Sequence, residues 1–424
     1  MLKRIRVEDV QLGMHIKEFC GSWLDHPFWR GQFVVTDPKD LEKIKASKVR
    51  EVMIDTDKGL DTPAPGAKPP AQEPPPEEAQ DTQAMAMAEV VKYDRPAMVA
   101  IEKVSSDQEF ERAAAICKQA TGAVTTMFQE ARMGRAVDTV VAKQVVQDIT
   151  DSVTRNGGAL ISLARLKTAD DYTYMHSVAV CALMVALARQ LGLNDDETKA
   201  AGFAGLLHDI GKMAIPMDVL NKPGKLTDDE FALVKKHPEE GLRLLREGGV
   251  SDEAAIDVCL HHHEKTNGTG YPYGLSDAQI SRLAKMGAVC DVYDAITSNR
   301  PYKAGWDPAQ SLKQMASWAN GHFDPRIFQA FVSSLGIYPT GSLVLLDNNK
   351  LAVVTDQSSE SLLKPVVKAF FSTRSAQRIP LELINLSAPS CRIKILGRED
   401  PEKWKFPDLD ELWSGMAQPG PKKK

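Results

Sequence analysis

Six of the nine histidines in these 424 residues fall between positions 176 and 263. They are His176, His208, His237 and the run His261-His262-His263, with Asp209 directly after His208 and Asp291 farther on. Imidazole nitrogens and carboxylate oxygens gathered this way suit divalent cations, and a pair of such cations is one means of hydrolysing a phosphate ester. Gly268-Thr269-Gly270-Tyr271-Pro272 follows the histidine run, a turn at which a phosphate can approach backbone N–H groups. The chemistry read from these residues is metal-dependent phosphohydrolysis.

One His-Asp pair alone is more often an ion pair or a helix cap than a metal site. Here the pair has company: His237 opens His237-Pro238-Glu239-Glu240-Gly241, and His176 follows Asp171-Tyr172-Thr173-Tyr174. All of these residues fall inside one stretch of helical periodicity, so the structural explanation fails for the set even where it would serve for each member.

The elements that must hold these groups are legible from the pattern. Phe110, Ala113, Cys117, Ala120, Val124 and Met127 recur at three- and four-residue steps, and Val137, Val140, Val141, Val145, Ile149 and Val153 repeat the pattern for a second helix. Helical periodicity continues to about Leu335, with loops at Pro223-Gly224 and Asn267–Gly274. Before it, residues 1–60 alternate apolar and polar positions around a helix near Asp40–Ser47, predicting a small N-terminal α+β domain. Residues 61–105 begin as a Pro-, Ala- and Glu-rich linker centred on Pro74-Pro75-Pro76. Residues 106–340 form the helical domain. In 341–424, Asp347-Asn348-Asn349-Lys350 joins two strands in a hairpin, giving a β extension that ends in a loosely held tail. The predicted fold class is therefore mainly α, an all-helical bundle with a small α+β domain before it and a short β extension after it.

Composition narrows the partners. A hydrophobic share of 43% with 26% charged residues is that of a soluble globular protein. A net charge of −5 and a pI near 6.0 argue against a nucleic-acid polymer as ligand. Six scattered cysteines without a CxxC pair predict reduced thiols, and no apolar segment follows Met1-Leu2-Lys3-Arg4 as a signal peptide requires. The apolar run Val178–Ala188 is far short of the roughly 20 residues that span a bilayer. A cytoplasmic location without a membrane span is expected.

Taken together, Tyr172-Thr173-Tyr174-Met175-His176-Ser177, His208-Asp209-Ile210-Gly211-Lys212, His237-Pro238-Glu239-Glu240-Gly241, His262-His263-Glu264, Gly268-Thr269-Gly270-Tyr271-Pro272 and Asp291 through Tyr302 resemble the HD-GYP phosphodiesterases. That family is a branch of the HD-domain metal phosphohydrolases. The resemblance covers roughly 105 to 340, and residues 3 to about 60 resemble the small uncharacterised domain often found before such enzymes. It implies hydrolysis of cyclic di-GMP to linear pGpG, and onward to GMP, with His176, His208, Asp209, His237, His262, His263 and Asp291 as metal ligands.

In the family a glutamate four residues before the first ligand histidine accompanies a third metal. That position is Tyr172 here, so two cations are expected, with Fe or Mn favoured by nitrogen and oxygen donors without thiolates. Asp209 has two oxygens and is the expected bridge. Lys212 is placed to contact the scissile phosphate, and the resemblance gives Arg300 and Lys303 the role of holding the dinucleotide, beside Gly268, Gly270, Tyr271 and Pro272. Asn267 stands where the family has aspartate and is expected to keep the turn. His261 is expected to lie outside the ligand set, and His322 to fix a loop. Two other readings stay open: another cyclic dinucleotide or nucleotide as substrate, or a catalytically silent module that binds the messenger or protein partners. A homodimer is compatible with both.

Overall fold

The computed structural model describes residues 2–20, 33–36, 38–45, 51–60, 104–166, 172–222, 224–298, 305–358 and 360–415. The chain divides into two units, Met1–Pro76 and Glu77–Lys424. In the first, strands β1 (Leu2–Arg6), β2 (His15–Cys20), β3 (Phe33–Val34) and β4 (Glu51–Asp55) form an antiparallel sheet of order β1-β4-β2-β3, with helix α1 (Pro38–Lys45) between the last two in sequence. Ile5 of β1, Ile16 of β2 and the alternate residues Val52 and Ile54 of β4 share a small core with Val10, Met14, Val35 and Ile44.

The second unit opens with α2 (Ser106–Arg132), α3 (Thr139–Arg155) and α4 (Gly157–Ala164). The long helices α5 (Tyr172–Gln190) and α6 (Asp195–Leu207) follow, then a 3-10 turn at Ile210–Ala214. Next come α7 (Met217–Leu220), α8 (Asp228–Val234), α9 (His237–Glu247) and α10 (Glu253–His261). The helical part closes with α11 (Arg282–Thr297), α12 (Pro308–His322) and α13 (Pro325–Leu335). Every residue from Val178 to Ala188 is buried. A helix apolar on all sides belongs at the centre of a bundle, and α5 is that centre.

The six periodic residues of α2 are all buried as expected. The second periodic set needs a correction. Val137 precedes α3, and Val140 and Val141 are exposed on its first turn, where the Asp138 carboxylate accepts both of their N–H groups at 3.0 Å. That cap fixes the helix rotation, and the inward face is Ala142, Val145, Val146, Ile149 and Val153.

After α13 comes a five-stranded antiparallel sheet, β5 (Leu343–Leu346), β6 (Lys350–Asp356), β7 (Val366–Ser372), β8 (Gln377–Asn385) and β9 (Ile395–Arg398), in the order β8-β7-β6-β5-β9. The expected hairpin is β5 and β6, with Leu345 opposite Leu351. The expected loose tail is not loose through residue 415. Helices α14 (Pro401–Trp404) and α15 (Leu409–Ser414) end the described chain, and Trp413 of α15 is fully buried against Phe110 of α2, with ring centroids 5.9 Å apart. An indole of that size gains more by filling the core than a free end gains in entropy. Sheet and bundle share one hydrophobic core. No helix among the described residues is long and apolar enough to cross a membrane.

Candidate metal centre

His176 lies on the second turn of α5, and α6 packs against that helix at the shortest range glycine allows. A Cβ on Gly205 would fall 3.1 Å from both the Val180 oxygen and the Cys181 Cα. His208 caps the end of α6, and Asp209 opens the 3-10 turn. The same turn presses on α9 at Gly211, where a Cβ would lie 1.8 Å from the His237 carbonyl oxygen. Any side chain there would drive α9 away, so this glycine is what lets His237 reach Asp209. His262 and His263 follow the end of α10, and Asp291 sits in the middle of α11.

Asp209 is the pivot of the arrangement. Its Oδ2 lies 3.3 Å from Nε2 of both His176 and His208. Its Oδ1 lies 3.4 Å from Nε2 of His237 and 3.8 Å from Nε2 of His262. Asp291 brings Oδ1 to 3.0 Å from His176 Nε2 and Oδ2 to 3.7 Å from His263 Nδ1. Two donor groups result, His176–His208–Asp209–Asp291 and His237–His262–His263, and in each the ligand atoms lie within 4.8 Å of one another. The structure thus brings together all seven residues singled out from the sequence.

Backbone carbonyls set the ring orientations. Nδ1 of His208 lies 2.8 Å from the Gly205 oxygen, Nδ1 of His237 2.8 Å from that of Val234, and Nδ1 of His262 3.0 Å from those of Val258 and Cys259. A carbonyl only accepts, so in each neutral ring Nδ1 carries the proton and Nε2 turns its lone pair inward. His176 is held differently: its Nδ1 lies 2.6 Å from Oδ2 of Asp294, whose Oδ1 accepts the Ser298 hydroxyl at 3.1 Å. Sequence-based expectation gave Asp294 no role. The available signal was its place three residues after Asp291, on the same face of one helix.

The electrostatics call for a cation. Nε2 of His237 and Nε2 of His262 face each other at 3.3 Å. Burial pushes His237 down to about 4, and burial with the neighbouring His208 and His237 pushes His262 down to about 3. At neutral pH neither ring supplies a proton to the gap, and two opposed lone pairs repel unless a positive charge joins them. On the other side, burial would lower His176, but the carboxylates of Asp209, Asp291 and Asp294 outweigh it and raise the ring to about 10. Burial alone would raise Asp209, yet Lys212 and His208 hold it well below the usual carboxylate range. Nε2 of His208 and Oδ1 of Asp209 are buried without a hydrogen bond, a cost of about 1–3 kcal/mol each that a bound ion would remove. These mixed nitrogen and oxygen donors are compatible with a divalent metal centre.

Beside the centre, the Lys212 ammonium pairs with Oδ2 of Asp209. Gly268, Gly270, Tyr271 and Pro272 lie on one loop, and Tyr271 stacks on His263 with ring centroids 4.6 Å apart. The loop is tied by Glu264, which the sequence showed only as the end of His262-His263-Glu264. Buried Glu264 accepts the N–H groups of Tyr273, Gly274 and Leu275 at 2.7, 3.0 and 3.0 Å. Asn267 keeps the turn as expected, its Oδ1 accepting the Thr269 N–H at 3.0 Å. His261 faces Asp257 at 2.8 Å and takes no part in the cluster. Arg300 and Lys303 lie outside the described residues.

Comparison with known proteins supplies the family. A model described as "HD domain" matches residues 157–327. The chain is 52% identical over 419 residues to a cyclic di-GMP phosphodiesterase of Pseudomonas aeruginosa, covering 99% of this chain and 97% of that relative. The chain belongs to the HD-GYP family. A second model, described as "Domain of unknown function (DUF3391)", matches residues 2–142 of this HD-GYP protein and so runs through α2 into α3. The cyclic di-GMP phosphodiesterase response regulator RpfG of Xanthomonas campestris pv. campestris is 42% identical over 149 residues, 34% of this chain and 39% of that protein. A 3'3'-cGAMP-specific phosphodiesterase of Vibrio cholerae is 33% identical over 162 residues, 38% of this chain and 37% of that protein.

Proposed function

We propose that this HD-GYP protein hydrolyses cyclic di-GMP, opening the ring to linear pGpG and then cleaving pGpG to GMP. The observation that carries the chemistry is the position of Asp209, one oxygen toward His176 and His208 and the other toward His237 and His262. His176, His208, Asp209 and Asp291 would hold one divalent cation, and His237, His262, His263 and the second oxygen of Asp209 the other. Iron or manganese suits this donor set. Such cations supply Lewis acidity toward a phosphoryl group and make bound water acidic enough to attack near neutral pH.

The protein's own groups do the rest. The carbonyl-bound imidazoles keep their lone pairs aimed inward, and Asp294 holds His176 in register. Lys212 offers a point charge to the phosphate next to the Asp209 carboxylate. Glu264 keeps the loop closed, so that Tyr271 covers His263 and remains a neutral donor, its phenol raised by burial and by Asp291 and Asp209. Arg300 and Lys303 complete the clamp on the dinucleotide. We assign the protein to the cytoplasm, where its five described thiols stay reduced.

The test is anaerobic purification, measurement of bound metal, and chromatography of the products. About two equivalents of iron or manganese together with pGpG from cyclic di-GMP are expected. Full metal occupancy without turnover would make the protein a receptor instead. The likeness to the cGAMP-specific enzyme supports one second reading, a hybrid cyclic dinucleotide as substrate, and relative kcat/KM on the two nucleotides separates them.

A further inference from the structure

A cyclic dinucleotide carries two phosphodiesters, and the metal centre with Lys212 engages only the one being cut. The other draws on the remaining local cations, to which Arg300 and Lys303 belong, in a chain of net charge −5. Lys265, directly after Glu264, is half-buried, and its ammonium has no ion-pair or hydrogen-bond partner among the described residues. Withdrawing an ammonium from water with nothing opposite it is unfavourable, and an arriving anion reverses that cost.

A second donor is brought to the same loop. The Thr266 N–H donates to the His322 oxygen at 3.4 Å, and the Asn267 N–H donates to that of Gly321 at 3.0 Å, so the end of α12 is stitched to the chain beside Lys265. The His322 ring lies flat on buried Phe323, 4.2 Å between centroids and 11° between planes, which fixes its direction. Burial, then the charge of Lys265, lowers this imidazole to about 4 against an opposing pull from Asp291. The His322 backbone is therefore held against the loop that carries Lys265, and its ring is a neutral N–H donor at physiological pH.

We propose that Lys265 and His322 form a second anion position that holds the phosphodiester not being cut. This rests on the dinucleotide reading above and names a part of that same site. The experiment compares two substrates in the full-length, manganese-loaded protein: cyclic di-GMP, with two phosphodiesters, and bis(4-nitrophenyl) phosphate, with one. Lys265→Met should lower the ratio of kcat/KM for the first to kcat/KM for the second about tenfold or more, mainly through KM. Lys265→Arg should restore most of that ratio, and His322→Gln should lower it several-fold. Manganese content at the wild-type level shows that each variant is folded. An unchanged ratio, or equal loss on both substrates at full metal content, overturns the anion position and leaves the metal centre intact. A wild type that cleaves the small diester but not cyclic di-GMP removes the dinucleotide reading and this position with it. Inactivity toward both removes the metal chemistry as well.

Discussion

The two sides of Asp209 are built from similar side chains and behave in opposite ways. On one side His176 and His208 meet Asp209 and Asp291, with Asp294 behind, and the excess of carboxylate raises His176 to about 10. On the other side stand three imidazoles, with one oxygen each of Asp209 and Asp291 nearby, and burial takes His237 and His262 down to about 4 and about 3. The first half is charged to receive a cation. The second presents neutral nitrogens and shares its negative charge with the first, through Oδ1 of Asp209 and, beside His263, Oδ2 of Asp291. The half poorer in carboxylate is expected to bind a cation more weakly than the other.

That inequality can be broken experimentally. The largest effect belongs to Asp209→Ala, expected to remove both metals and lower turnover by about a thousandfold or more; near-normal metal content and rate would show that it bridges nothing. His262→Ala should take the stoichiometry from about two metals to about one, because only the imidazole-rich half loses a ligand. Loss of both ions in that variant would mean that the halves do not bind separately. Asp294→Asn should cost roughly 10- to 100-fold in metal affinity or activity, because it loosens His176 without removing a ligand.

The smallest effect on turnover is expected far from the centre, at Glu109→Gln. Buried Glu109 accepts Arg155 through both oxygens, at 2.9 and 2.8 Å, and the Ser152 hydroxyl at 2.9 Å. Burial would raise its carboxyl, but Arg155 and Ser152 outweigh it and lower the group below 4.5. Its stabilising contribution is therefore complete above pH 4.5 and is lost as the pH falls through the folded value. The variant should melt about 5 °C lower at neutral pH and lose less stability than wild type on acidification, with kcat within about twofold. Thermal melts from pH 3 to 7 check both statements.

How much of this was legible in the sequence depended on the kind of information. The ligands could be read because metal chemistry limits which residue types serve, and His208-Asp209 and His262-His263 are conspicuous as neighbours. The bundle could be read because α2 repeats its apolar face without interruption. Groups acting through space could not. Asp294 matters only because α11 brings it under His176, and Glu264 only because residues 273–275 fold back onto it. Gly211 is one glycine among 28 until His237 is seen lying on it. Val140 and Val141 misled because the apolar period continued past the point where Asp138 capped the helix.

The burial of Trp413 against Phe110 has a consequence for how this protein is made. The second unit is sealed by an indole from its last described helix, packed against the first described helix of that unit. A nascent chain halted upstream of residue 413 would emerge with the floor of its bundle open to solvent, a sticky intermediate for chaperones rather than a shortened enzyme.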